Sequence, residues 1–328
     1  LVEGVNDFPR NVQLGVKYLK ISYKSGNEDS VVYYIRMLIK GDSIPRNHKK
    51  AKQLLETRMK HNKSTYLLLY GKMYKTEKEY EKALKCFEES IENGSSESLY
   101  EYGKMLIKGQ GTEINEEEGI NYFKQSIENG FPPAMYKYGK YLIKHDKNAS
   151  LGEELIRKSA EKGNPKANYA FGTILSDRNE KEESIRYFKS SSKKGNVKSM
   201  MKYAELIYSS DDEDDEKNTP ELKEEALRLY KKAADKGCID SLYHYCSLLP
   251  RNNEYVKYMH IAACNGIAEA MFDYAEILQS GNLVRSDLKE ANKYFKMAID
   301  KDHSNSMHQY AYNLHKGRGV PVNYEEAI

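Results

Sequence analysis

With 52 Lys and Arg against 49 Asp and Glu in 328 residues, the net charge is only +3, so the chain lacks the basic surplus of a nucleic-acid binder. No run approaches the ~20 apolar residues of a membrane span, and four cysteines over this length make no disulfide framework. Cys86, Cys238, Cys246 and Cys264 read as small hydrophobes in a reducing compartment. The compartment expected is the cytoplasm, or the endoplasmic reticulum if a signal precedes Leu1.

The chain opens on Leu1-Val2-Glu3-Gly4, which matches Leu38-Ile39-Lys40-Gly41, and Phe8-Pro9-Arg10-Asn11 parallels Ile44-Pro45-Arg46-Asn47. It therefore starts at the tail of a helix and inside a repeat. From there a small or polar residue, usually four positions after a turn glycine, marks the first turn of one helix per repeat. These anchors are Ser30, Tyr66, Ser98, Ala134, Ala167, Ser199, Ser241, Ala270 and Ser306, with spacings from 29 to 42 residues. Four positions after each anchor (+4) stands an aromatic: Tyr34, Tyr70, Tyr102, Tyr138, Phe171, Tyr203, Tyr245, Tyr274 and Tyr310. These rings are expected to be buried between helices, with their hydroxyls at the edge of the packing.

Within the repeat Ser98 to Gly130, helix A carries Leu99, Tyr102, Gly103 and Leu106, the stripe of an amphipathic helix. Position +5 is small in most repeats, including Gly71, Gly103, Gly139, Ala204 and Ala275. A glycine inside a helix costs ~1 kcal/mol relative to alanine, so its recurrence predicts close contact with a neighbouring helix. Asn115 is placed to cap helix B. Counted back from the turn glycine, helix B has small residues at −11 and −4 and apolar or aromatic pairs between them, such as Tyr122-Phe123 and Tyr294-Phe295. Pro132 and Pro165 fall in the opening turn of the next helix A, where a missing N–H does no harm.

Between the sixth and seventh anchors an acidic loop insert spans 209–219, with Asp211 to Glu216 all acidic. Like charges repel, so a solvated loop is expected there. Ser209 and Ser210, with acids downstream, fit an acidophilic-kinase site, and Thr219-Pro220 provides a cap and first turn for the following helix B. The chain stops at Ile328 just as another helix B begins. A fragment of a longer protein is the expectation at both ends.

The loop-plus-helix stretch Lys316-Gly317-Arg318-Gly319-Val320-Pro321-Val322-Asn323-Tyr324-Glu325-Glu326-Ala327 resembles the Sel-1-like repeat, a relative of the tetratricopeptide repeat. So do Gly109-Gln110-Gly111 through Gly119, the paired Tyr-Phe of helix B and the small-residue start of helix A. The resemblance covers 1–328 as a single array. It implies an all-α, right-handed α-solenoid of stacked helix-turn-helix repeats, about eight complete pairs with partial repeats at both ends. One departure is that +8 is largely leucine here and +4 aromatic, the reverse of the usual family pattern.

No catalytic constellation emerges. The eight histidines show no metal-ligand spacing, although His244 and His260 could meet Cys246 and Cys264 across one repeat. Gly109-x-Gly111 and Gly317-x-Gly319 follow helices and read as turns, not phosphate loops. No metal, cofactor or small-molecule substrate is expected. The sharpest surface feature is a basic ladder at +6 of helix A, namely Arg36, Lys72, Lys104 and Lys140, which turns acidic further on at Glu205 and Glu276. Lys104/Lys108 and Lys140/Lys144 are like-charge i,i+4 pairs, each unfavourable by ~0.2–0.5 kcal/mol.

The function expected is a non-catalytic scaffold or adaptor that binds proteins or extended peptides, acidic ones at the ladder, along the concave helix-A face the resemblance implies. The alternative is a regulatory or substrate-recruiting arm of a longer enzyme such as a protein kinase, or an adaptor in endoplasmic-reticulum-associated degradation.

Overall fold

The computed structural model describes residues 12–41, 43–59, 62–208 and 219–327, which form eighteen α-helices and no strand. In chain order these are α1 (Val12–Lys24), α2 (Glu28–Lys40), α3 (His48–Arg58), α4 (Lys63–Thr76), α5 (Tyr80–Glu92) and α6 (Ser96–Lys108). There follow α7 (Glu116–Glu128), α8 (Pro132–Lys144), α9 (Ala149–Glu161), α10 (Pro165–Asp177), α11 (Lys181–Lys193) and α12 (Val197–Ile207). The last six are α13 (Pro220–Ala234), α14 (Ile239–Leu248), α15 (Asn253–Cys264), α16 (Ala268–Ser280), α17 (Leu288–Ile299) and α18 (Ser304–Lys316). From α2 onward even-numbered helices are helix A and odd-numbered ones helix B. Eight complete pairs thus lie between a leading helix B and a closing helix A. Contacts divide the chain into two compact units, Leu1–Ile174 and Leu175–Ile328, with the boundary inside α10.

Local chemistry sets the helix ends. Asn115 accepts from the Glu118 N–H at 3.1 Å, and Thr219 accepts from the Leu222 N–H at 3.4 Å with Pro220 opening α13. Gly94 and Gly130 turn the chain between helix B and the next helix A with φ of 85° and 74°, in the left-handed region. At the last such turn Asp302 holds that conformation in place of glycine, at φ 61°.

Two devices fasten successive helices within a unit. The first is the −4 serine. Ser90 in α5 donates to the Ser64 carbonyl of α4 at 2.8 Å and receives the Ser98 hydroxyl of α6 at 2.7 Å. Ser126 and Ser159 likewise donate to the Ser96 and Pro132 carbonyls at 2.7 and 2.5 Å. In these repeats the hydroxyl satisfies a carbonyl at the start of the preceding helix A, whereas Ala233, Ala262 and Ala298 at the same position keep only the small size. The second is a helix-B lysine laid over the +4 tyrosine of the next helix A: Lys124 on Tyr138, Lys189 on Tyr203, Lys231 on Tyr245 and Lys296 on Tyr310, at 4.9–6.0 Å from the ring centres.

The +4 rings depart in part from the sequence expectation. Tyr34, Tyr70, Phe171, Tyr203, Tyr245 and Tyr310 are buried, but Tyr102, Tyr138 and Tyr274 are only half-buried. Their rings stay at the helix edge, where they meet other aromatic or cationic groups. Tyr102 meets Tyr122 edge-on at 4.8 Å, Tyr138 stacks with Tyr141 at 6.2 Å, and Tyr274 stacks with His260 at 4.7 Å.

Candidate functional site

All four residues of the basic ladder lie in the first unit, one each on α2, α4, α6 and α8. Two carboxylates on α6 organise the first three. Arg36 Nη2 lies 3.7 Å from Glu97 Oε2, and Lys72 Nζ also binds the Glu97 carboxylate. Glu101 is held between Lys75 at 2.7 Å and Lys104 at 2.9 Å, and the Lys104 ammonium sits 4.8 Å over the Tyr100 ring. Burial raises the Glu101 carboxyl, but the Lys104 and Lys75 ammoniums outweigh it and hold it below the usual glutamate range. Lys75 moves down, because burial and the charges of Lys104 and Lys108 outweigh its share of one carboxylate. Arg36, Lys72 and Lys104 thus have counter-ions within the fold.

Lys140 is different. No carboxylate among the described residues pairs with Lys140, Lys137, Lys108 or Lys166. Lys137 is held below the usual lysine range, first by desolvation and then by the fields of Lys140, Lys104, Lys108 and Lys166. These lysines therefore share one electrostatic neighbourhood spanning α6, α8 and the start of α10. Tyr100, Tyr136 and Tyr169 occupy the same register position on those three helices and are partly buried. Sequence reasoning singled out Lys104 and Lys140 but passed over Lys137, Glu97 and Glu101. The available signal was charge at the +3 register position, immediately before the +4 aromatic, at Glu101 and Lys137.

In the second unit Glu205 pairs with Lys202 on its own helix at 2.7 Å, and Glu276 is exposed on α16. Glu276 faces Asp273, whose carboxyl is raised by burial and by that neighbouring charge, while the Tyr243 hydroxyl donates to it at 3.2 Å. Ser209, Ser210 and the insert up to Asn218 lie outside the described residues. The four cysteines are free. The possible quartet does not assemble: Cys246 is buried in the core and His244 stacks on Tyr230 at 5.2 Å, while His260 and Cys264 meet each other on α15. No helix among the described residues is long and apolar enough to cross a membrane.

Repeated two-helix units fastened by recurrent positions define a helical-repeat protein of the tetratricopeptide-like class. The family model of the Sel1 repeat matches residues 3–27, 36–57, 64–95, 96–131, 132–164, 167–196, 198–238, 268–303 and 304–328, and the chain belongs to that family. The longest stretch left unmatched, 239–267, holds α14 and α15, where Cys246 and Tyr255 replace the small residues at +5 and −11. A protective antigen present in uropathogenic Escherichia coli strains, displaying an SLR fold, is similar with a TM-score of 0.61 at 18% identity, over 98% of this chain and 79% of that one. A Sel1 repeat protein from Oxalobacter formigenes is similar with a TM-score of 0.51 at 18% identity, over 95% and 83%. At that identity the likeness shows the fold. No curated protein matches the sequence.

Proposed function

We propose that this chain is a non-catalytic scaffold or adaptor whose helix-A face binds an acidic peptide or the acidic surface of a protein partner, in a cytoplasmic setting. One observation carries the reading: Lys108, Lys140 and Lys166 act on Lys137 with no carboxylate paired to any of the four among the described residues, beside a neighbouring set in which each cation meets a carboxylate. A fold selected for stability alone gains nothing from like charges that repel one another, whereas an incoming anion would relieve that repulsion. Lys104, Tyr100 and Tyr136 flank the cluster and extend it along the face. Fields from a row of like charges add, so the cluster would accelerate encounter more than it would strengthen the final complex.

The test is stopped-flow association of a fluorescein-labelled peptide of alternating Glu and Gly. The Lys137→Glu/Lys140→Glu double variant is expected to lower the on-rate about tenfold at low salt, with a flattened salt dependence. An unchanged on-rate would remove the cluster from the binding face. Complete displacement of the peptide by a short oligonucleotide at lower concentration would replace an acidic protein partner with nucleic acid.

A further inference from the structure

We propose that Cys264 and His260 form a thiol–imidazole pair that exchanges with small-molecule disulfides, making Cys264 a site of reversible mixed-disulfide modification. The site lies on α15 to α17 and is independent of the lysine face. The four cysteines differ in their surroundings. Burial pushes the Cys246 thiol up to about 12 and the Cys86 thiol up to about 11, which keeps both protonated and inert. Cys238 is half-buried and accepts from the Ser241 hydroxyl at 3.0 Å. Cys264 alone is exposed, and it alone faces a base.

His260 lies one turn before Cys264, and its Nε2 is 3.4 Å from Sγ. Two other helices hold the imidazole in place. Its ring stacks on Tyr274 of α16 at 4.7 Å and 28°, and it meets the Tyr294 ring of α17 edge-on at 6.1 Å. The Tyr294 hydroxyl lies 3.0 Å from Nε2 and 3.8 Å from Sγ, within reach of both reacting atoms. Nucleophile, base and orienting groups thus come from three helices, the arrangement that activates a weak nucleophile. Glu290 on α17 acts on both tyrosines.

The step balances without another reagent. The thiol proton passes from Sγ to Nε2, and the sulfur attacks one sulfur of the incoming disulfide. A Cys264–S–S–R bond forms as the disulfide bond breaks, and the departing thiolate takes the proton from the imidazolium. With Nε2 protonated, the Tyr294 hydroxyl is free to donate to the attacking sulfur. The incoming disulfide is the oxidant and its released half is the reduced product.

The intact chain would be mixed with the chromogenic disulfide 5,5′-dithiobis(2-nitrobenzoate) at pH 7, and thiol release followed in time. One rapid phase equal to a single thiol is expected, absent in Cys264→Ser and slowed about tenfold or more in His260→Gln. Oxidised glutathione should then label the same residue, located by peptide mass spectrometry. His260 and Cys264 are both exposed, so neither substitution should disturb the core, and unchanged melting curves would confirm that. A rapid phase that survives in Cys264→Ser, or an equal rate in His260→Gln, would overturn the assignment.

Discussion

At two crossings of helix A over helix B the first unit sets glycine against glycine, and at two crossings the second sets alanine against alanine. A Cβ on Gly103 would lie 2.7 Å from the Gly119 carbonyl oxygen, and one on Gly139 would lie 2.5 Å from the Gly152 carbonyl oxygen. At the same two register positions the second unit has Ala204 with Ala226 and Ala275 with Ala291, each pair fully buried within one core cluster. Charge follows a parallel contrast at the +3 position. Glu101 of the first unit is shared by two ammoniums and its carboxyl is held down, whereas Asp273 of the second has no ion pair among the described residues and its carboxyl is pushed up. One repeat template therefore tolerates more than one solution at each position, as the mixed pair Gly71 and Ala83 also shows. A methyl is harmless only where the facing backbone already stands back, and a half-buried carboxylate is favourable only where cations meet it.

The largest effect should come from breaking a glycine crossing. Gly139→Ala forces a methyl against a backbone carbonyl that cannot rotate away, and the better helix propensity of alanine offsets only ~1 kcal/mol. A net loss of about 3 kcal/mol is expected in urea unfolding. Parental stability in that variant would mean that α8 and α9 are not held at glycine distance.

Removing the shared carboxylate should matter next. Glu101→Gln leaves Lys75 and Lys104 without their common anion, and a loss of about 2 kcal/mol at neutral pH is expected for this partly buried group. Because the Glu101 carboxyl is depressed, its contribution is complete above about pH 5 and is lost as pH falls through the depressed value. Parent and variant stabilities should therefore converge in acid, and a constant difference down to strongly acid pH would contradict the ion-pair account.

Asp273 should give the smallest effect, with the opposite sign. Its folded carboxyl is raised, so the native state binds the proton more readily than the unfolded chain, and stability declines as pH rises through that raised value. Asp273→Asn keeps an acceptor for the Tyr243 hydroxyl and removes the charge. It should melt slightly above the parent at pH 7, and the gap should close near pH 4. A variant that melts below the parent at pH 7 would show that the Asp273 charge is used by the fold.

Much of the helical scaffold was legible in the residues themselves. The caps at Asn115 and Thr219, the prolines opening α8 and α10, and the close approach at Gly103 and Gly139 all follow from which backbone groups lack partners and how near two helices must come. The proposed binding face was legible only in part. Lys104 and Lys140 stand out as a row, and Glu101 meets Lys104 within α6, but the acid that meets Arg36 and Lys72 comes from a different helix, and nothing along the chain shows that Glu97 reaches them. Lys137 carries the same ambiguity, since nothing in its neighbours along the chain tells that Lys108 and Lys166 converge on it.

The sequence by itself determined the repeat, its two-helix unit, the caps and turns and the positions kept small, because these depend on contacts within a helix or between consecutive helices. Only the tertiary structure decided which charges are spent on the fold and which remain open, and that Cys264, His260, Tyr274 and Tyr294 form one cluster. Those outcomes depend on which surface side chains meet between packed helices, where a displacement of one residue in register would change the partner without disturbing the apolar pattern beneath it.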